Sequence, residues 1–218
     1  HDEEIDDSAR YTAVKTDQDG RVSDIKINAK LSGKNKFYVN IMIMNRRFLI
    51  NTIFDAVARG LNSFRRDILM RNFKSLKIFA YDFKGYHASI DSIGSYFKHN
   101  MELLNKNLRD ELFGARDIYT KVRDSAPSKY GENSKIKNSL ISDGCIVEGT
   151  VENSILFRGV KVGKGSVIKN SIVMQDNLIG DNVSLNCVIT DKNVVIRDRR
   201  VLSGCEAQPY CIPKGSMI

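Results

Sequence analysis

The residues able to do chemistry in this chain are few and scattered. The three histidines are His1, His87 and His99. Asp82 and Asp91 stand nine residues apart across an expected strand-to-helix join. Two carboxylates so placed could share a hard cation, although nothing in the spacing forces them to. His87 sits just before the expected helix start, where a turn or cap role outweighs catalysis. His99 lies on that helix beside Asn100 and reads as a surface residue. No serine–histidine–aspartate set can be assembled from these positions. Gly20, Gly33, Gly60 and Gly85 are isolated, so no glycine loop able to cradle a phosphate precedes residue 138. The four cysteines, Cys145, Cys187, Cys205 and Cys211, form no C-x-x-C pair. Cys145 and Cys187 replace aliphatic or small residues in a periodic pattern, which favours buried thiols over disulfides or metal ligands. A reducing cytoplasm fits that usage.

The elements that would position these residues fall into two parts. In the first, Tyr11–Thr16 and Arg21–Ile27 read as strands around the turn Asp17-Gln-Asp-Gly20. Phe37–Met44 reads as a strongly apolar strand. A helix over Arg47–Ala58 would carry Phe48, Leu49, Ile53, Phe54 and Val57 on one face, with Gly60 as its stop. A shorter helix over Ser63–Asn72 turns Phe64, Ile68 and Leu69 inward, and Lys77–Phe83 reads as a strand. Ser89 is placed to cap a helix reaching about Leu104, with Ile90, Ile93, Phe97, Met101 and Leu104 at helical spacing. Strands alternating with helices imply α/β architecture. The polar stretch from Ser125 to Ser134 marks the boundary, dividing the chain at 1–124 and 125–218.

The second part repeats itself about every 16 residues. Asparagine blocks begin at Asn138, Asn153, Asn170 and Asn186, with steps of 15, 17 and 16 residues. Nine residues after each asparagine stands an aliphatic residue: Val147, Val162, Ile179 and Val195. Three of these open hexapeptides: Val147-Glu-Gly-Thr-Val-Glu, Val162-Gly-Lys-Gly-Ser-Val and Ile179-Gly-Asp-Asn-Val-Ser. Such a pattern predicts a parallel β-helix with six-residue sides, over about 135–196. One coil cannot bury its apolar row, but stacked coils can. The asparagines are expected at the corners, where a short polar side chain tolerates left-handed backbone angles. The segment after Ile196 reads as a loop or cap, with Pro209 and Pro213 blocking further pairing.

The chain has 218 residues, 42% of them hydrophobic, and a formal net charge of +8. No apolar run approaches ~20 residues, so no membrane-spanning helix is expected. The start, His1-Asp-Glu-Glu-Ile-Asp-Asp, is acidic and unlike a signal peptide. Residues 21–84 hold 14 Lys or Arg against four acids. These basic residues are scattered and lack an aromatic platform. They point away from nucleic acid and toward an anionic small molecule or a solvated face.

Taken in order, these pieces resemble bacterial ADP-glucose pyrophosphorylase, the glucose-1-phosphate adenylyltransferase family. Thr16-Asp-Gln-Asp-Gly-Arg-Val is similar to the hairpin before that family's Glu-Lys-Pro motif. Asn40-Ile-Met-Ile-Met matches the strand after its Ser-Met-Gly. Ser63-Phe-Arg-Arg-Asp-Ile-Leu resembles its Asp-Phe-Gly-Lys-Asp-Leu-Ile. Tyr96-Phe-Lys-His-Asn-Met-Glu-Leu-Leu is close to its Tyr-Trp-Lys-Ala-Asn-Leu-Asp-Leu-Leu. The resemblance covers essentially the whole chain, as the back part of a longer protein. It implies the C-terminal part of an α/β nucleotidyltransferase-like domain, followed by a left-handed parallel β-helix.

Departures from the family pattern are equally informative. The Glu-Lys-Pro motif that grips the sugar phosphate reads Ala29-Lys30-Leu31, so only the lysine remains. The family's metal-binding aspartate falls on Ser89, and serine cannot replace a carboxylate ligand at comparable strength. Phosphoryl-group transfer relies on Mg²⁺ to neutralise developing charge. The resemblance is therefore to the non-catalytic partner subunit of the Gram-positive enzyme. It implies no catalytic residue and no metal ligand in this chain, with Lys30 as a weak sugar-phosphate contact. Mg²⁺ is expected only in the catalytic partner. The expected partners are a catalytic pyrophosphorylase subunit in a hetero-oligomer, a possible anionic effector and, for the chain alone, a second copy. Nucleic acid and membrane are not expected. The alternatives are a catalytic sugar-phosphate nucleotidyltransferase with altered ligands and a non-enzymatic β-helix scaffold. A hexapeptide acyltransferase is disfavoured because residues 100–218 contain no histidine base.

Overall fold

The computed structural model describes residues 12–27, 36–114, 118–120 and 124–218. The chain forms two compact units, one ending at His87 and the other running from Ala88 to Ile218. Lys30 and Ala29 lie outside the described residues.

In the first unit, β1 (Thr12–Thr16) and β2 (Val22–Ile27) form the expected antiparallel hairpin. The Asp17 carboxylate accepts the Asp19 and Arg21 amides at 3.1 and 2.8 Å, and Gly20 takes φ 78°. β3 (Lys36–Phe37) pairs with the other edge of β1. Contrary to the sequence expectation, the strand does not continue to Met44. Asn40 turns left-handed at φ 61°, and Ile43 is fully exposed. After Tyr38 donates to the Thr12 carbonyl, no described strand offers this stretch a ladder. Lys77–Phe83 likewise supplies one bridge, Phe79 to Arg21, instead of a full strand.

Asn45 caps α1 (Arg46–Ala58) by accepting the Arg47 and Phe48 amides, and Gly60 follows its end at φ 67°. The anticipated apolar stripe is present, yet no residue of α1 is buried: Phe54 is 72% exposed and Val57 71%. Phe64–Met70 winds as a wide π-type helix capped by Ser63. There Ile68 and Asp67 are the buried residues.

The second unit opens with α2 (Ile93–Glu102), capped reciprocally by Ser92 and Ser95. Helix formation therefore starts three residues later than the cap expected at Ser89. Short helical turns follow at Lys106–Arg109 and Asp110–Gly114. The remainder is a parallel β-solenoid of the left-handed hexapeptide class, with three faces of five strands each. On face one lie β4 (Lys129–Tyr130), β7 (Ile146–Val147), β10 (Lys161–Val162), β13 (Leu178–Ile179) and β16 (Val195–Ile196). Face two stacks β5 (Lys135–Lys137), β8 (Thr150–Glu152), β11 (Val167–Lys169), β14 (Ser184–Asn186) and β17 (Val201–Ser203). Face three stacks β6 (Leu140–Ile141), β9 (Ile155–Leu156), β12 (Ile172–Val173), β15 (Val188–Thr190) and β18 (Tyr210–Ile212).

Each face sends one row inward. Val147, Val162, Ile179 and Ile196 are in register on face one and all buried. Ile196 fills the column where the sequence reading put Val195. Coil steps are 15, 17 and 17 residues (Ile146, Lys161, Leu178, Val195), so counting from Asn186 lands one residue early. The corners show the same slip. Asn138, Asn153 and Asn170 take φ 44–45°, but the fourth left-handed residue is Cys187 at φ 52°, while Asn186 stays in its strand.

Serines satisfy the amides that the corners leave open. Ser154 Oγ accepts the Ser171 amide at 3.1 Å, and Ser171 Oγ accepts the Val188 amide at 3.1 Å. Buried donors left unpaired would cost about 1–3 kcal/mol each. Small residues let the coils approach at other positions. A Cβ on Gly163 would stand 2.5 Å from the Gly180 carbonyl oxygen. The segment expected to be only a cap extends the solenoid instead. Pro209 and Pro213 flank β18 without entering it, and Met217 bridges Val195.

Candidate functional site

The residues singled out for chemistry fall in two compact units, Asp82 and His87 in the first and Ser89, Asp91 and His99 in the second. Asp82 accepts a hydrogen bond from Lys36 Nζ at 2.7 Å. That ammonium holds the Asp82 carboxyl below the usual carboxylate range. Asp91 belongs to the other compact unit, where its Oδ1 accepts from Ser95 Oγ at 3.1 Å. Ser95 also joins the capping box of α2, so Asp91 is part of a helix start. Ser89 is half-buried in the non-helical stretch ahead of it. His87 is half-buried as well. His99 is less exposed than its sequence position suggested: Nδ1 lies 2.8 Å from Glu102 Oε2, one helical turn on. Among the described residues, no three His, Cys, Asp or Glu side chains converge on a common metal position.

One buried acid escaped the sequence reading. Asp67 Oδ2 accepts the Ser63 amide at 3.1 Å, and Oδ1 lies 3.3 Å from Arg66 Nε. The backbone hydrogen bond, followed by the arginines, holds its carboxyl below the ordinary range. Because Ser63 Oγ accepts the Arg66 amide in return, Asp67 closes a cap. Its spacing from Ser63, four residues, was the available signal.

The solenoid presents surface instead of a catalytic cluster. On face two, Lys137, Glu152 and Lys169 stand in register on successive coils. Glu152 accepts from both ammonium groups, at 3.2 and 3.3 Å, and the Lys137 hydrogen bond leads the forces that hold its carboxyl below the usual carboxylate range. Above it, Asn170 donates to Asn186 Oδ1 at 2.9 Å. Face one exposes Ile146 between Lys129 and Lys161, and Leu178 between Lys161 and Val195. Face three is covered. Its outward residues Ile172 and Ile189 form one buried cluster with Phe97 of α2 and with Cys187, flanked by Tyr96, Met101 and Phe157. Phe97 is therefore the reason α2 belongs with the solenoid. The first coil leaves Tyr130 and Ile136 exposed at its open end.

No helix among the described residues is long and apolar enough to cross a membrane.

Comparison with known proteins agrees with this architecture. Residues 124–208 match the GlmU-like C-terminal hexapeptide family. The chain is 40% identical over 178 residues to the glycogen biosynthesis protein GlgD of Bacillus subtilis, covering 81% of this chain and 52% of that protein. It is 31% identical over 171 residues to a glucose-1-phosphate adenylyltransferase of Thermosipho africanus, covering 76% of this chain and 41% of that protein. Against the Bacillus mycoides glucose-1-phosphate adenylyltransferase it is 30% identical over 205 residues, covering 90% and 54%. The resemblance seen in the sequence is thus matched by these relatives, and the chain spans about half the length of the first two Bacillus proteins.

Proposed function

We propose that this chain acts in glycogen biosynthesis as a regulatory and assembly subunit that joins a catalytic glucose-1-phosphate adenylyltransferase and is itself catalytically impaired. The observation that carries this reading is Ser89 at the position of the family's metal-binding aspartate. The nearest carboxylate in sequence, Asp91, supports it by spending its side chain on the cap of α2. The greater identity to the glycogen biosynthesis protein, 40% against 31% and 30% for the adenylyltransferases, points the same way.

Magnesium chemistry belongs to the catalytic partner in this reading. Lys30 keeps a weak hold on a sugar phosphate or similar anion. One ammonium without carboxylate and metal neighbours is a point charge, not a shaped site. Its affinity should be millimolar at best, about 4 kcal/mol. The exposed apolar side chains of α1 and of the first solenoid coil are surfaces of the kind that other protein covers. The cytoplasm is the compartment that this role requires.

The test uses the full-length protein. Alone it should make no ADP-glucose from ATP and glucose-1-phosphate at any Mg²⁺ level. Mixed with a catalytic adenylyltransferase subunit, it should co-purify and change activity or effector response. Robust turnover by the protein alone sinks the proposal.

A further inference from the structure

Beyond assembly, we infer that Cys187 and Cys205 form an oxidation-sensitive thiol pair whose disulfide would fasten the 204–209 loop to the corner of the coil beneath it. Backbone stacking carries the inference. β14 and β17 pair in register from Ser184–Val201 to Asn186–Ser203. One residue further, Cys187 and Gly204 occupy the next level. The Gly204 amide donates to the Asn186 carbonyl at 2.9 Å, and a Cβ on Gly204 would meet the Cys187 carbonyl oxygen at 2.7 Å. Adjacent strands lie about 4.8 Å apart and consecutive Cα atoms about 3.8 Å. A step from Gly204 at right angles to the strand spacing would put the Cys205 Cα roughly 6 Å from that of Cys187, within the range a disulfide spans. Forming the bond turns the Cys205 thiol away from the Gln208 carbonyl, which lies 3.8 Å from it.

Local structure holds this approach. Between β14 and β15 the corner is Cys187 alone, whereas six residues connect β17 to β18. The extra chain closes on itself, with Cys205 and Gln208 exchanging backbone hydrogen bonds at 3.2 and 3.1 Å. Tyr210 then returns to the ladder by donating to the Cys187 carbonyl at 3.0 Å. The loop thus starts from a hydrogen bond to Asn186 and returns to one on Cys187. The two thiols differ in exposure. Cys205 is exposed and meets solvent oxidants, while Cys187 is buried against Phe97, Ile172 and Ile189. Burial holds the Cys187 thiol above its ordinary range, and the next contributors are Glu206 and Cys205 on this same loop.

With hydrogen peroxide as oxidant, the Cys205 thiolate attacks one peroxide oxygen. The O–O bond breaks and the leaving hydroxide takes a proton to become water. Cys205 is then a sulfenic acid. The Cys187 sulfur attacks the Cys205 sulfur, the S–O bond breaks, and a second water leaves with the Cys187 proton. Two thiols are oxidised and one peroxide is reduced. The loop so fastened backs the first turn of α2, because a Cβ on Gly94 would lie 3.3 Å from the Ala207 carbonyl oxygen.

The experiment treats the whole reduced chain with hydrogen peroxide, digests it with trypsin without reductant and maps the linked peptides by mass spectrometry. Cleavage at lysine and arginine places Cys187 on peptide 170–192, and both Cys205 and Cys211 on peptide 201–214. In a Cys211→Ser variant these two peptides should link, and half of the four thiols of the unmodified chain should be lost. Cys205→Ser should abolish the link. This substitution is at an exposed site and tests the pair even if Cys187→Ala fails to fold. The inference is overturned if Cys205 advances to sulfinic acid in Cys211→Ser without the linked peptides. Linkage found only between isotopically heavy and light chains in a mixture would overturn it as well.

Discussion

Asn170 donates its side-chain amide to the side-chain oxygen of Asn186, 2.9 Å away, although the two residues do different backbone work. Asn170 turns the corner at φ 45°, whereas Asn186 ends a strand and leaves the corner to Cys187 at φ 52°. Holding a non-glycine residue in that region costs about 1–2 kcal/mol, least for asparagine. Asn170→Val should therefore lower unfolding free energy by about 1–2 kcal/mol in urea titration, and Asn170→Gly should cost less. Equal stability of the two variants would remove the corner assignment.

The one-residue slip at the last coil gives a sharper test. Ile196 is in the buried column and Val195 faces outward beside Met217. Ile196→Asp should destabilise by at least about 3 kcal/mol, because it buries an unpaired charge. Val195→Asp should stay within about 1 kcal/mol. Reversed urea midpoints would restore the register counted from Asn186.

Phe97 joins α2 to the outward side of face three. Phe97→Ala should cost about 3–5 kcal/mol in the stability of this contact. Hydrogen exchange should rise across α2 while the central coils keep their protection. Uniform loss of protection through the solenoid would show that α2 is integral to its core.

Glu152 has its folded-state acidity strengthened by Lys137 and then Lys169. A depressed folded value contributes stability above the ordinary glutamate range. That contribution is lost as pH falls through the lowered value. The stability gap between the unmodified chain and Glu152→Gln should hold at neutral pH and close below about pH 4. A gap that widens in acid contradicts the ion ladder.

Ser89→Asp in the full-length protein should strengthen Mg²⁺ binding measured by calorimetry, yet turnover should remain low because Ala29 still lacks the family's carboxylate. Full activity from that single change would show that the sugar-phosphate grip survives elsewhere.

The solenoid was legible because its period is enforced by stacking. Val147, Val162 and Ile179 could be placed before any coordinates, since each must lie over the last. Val195 was misplaced because the last corner is Cys187 and a count begun at the asparagine before it starts one residue early. The hairpin at 12–27 and the stop of α1 at Gly60 followed from turn and capping chemistry. The strand expected at Phe37–Met44 did not form beyond Phe37, since strand propensity needs a neighbouring ladder and β1 supplies only a short one. The half-buried Ser89 was located by resemblance to a motif, while the role of Asp91 in the α2 cap emerged only with side-chain geometry. Asp67 was overlooked because nothing in an isolated acid announces burial.

The unequal coil steps bear on how such a gene can change. Steps of 15 and 17 residues deliver the same three faces, so length is absorbed at corners while the strands keep count. The 204–209 loop is a larger example of the same tolerance. Insertions and deletions that survive selection should accumulate at corner codons such as those around Asn153, Asn170 and Gly204. A frameshift-free change of one codon within β8 or β11 would instead turn an inward row outward and be purged.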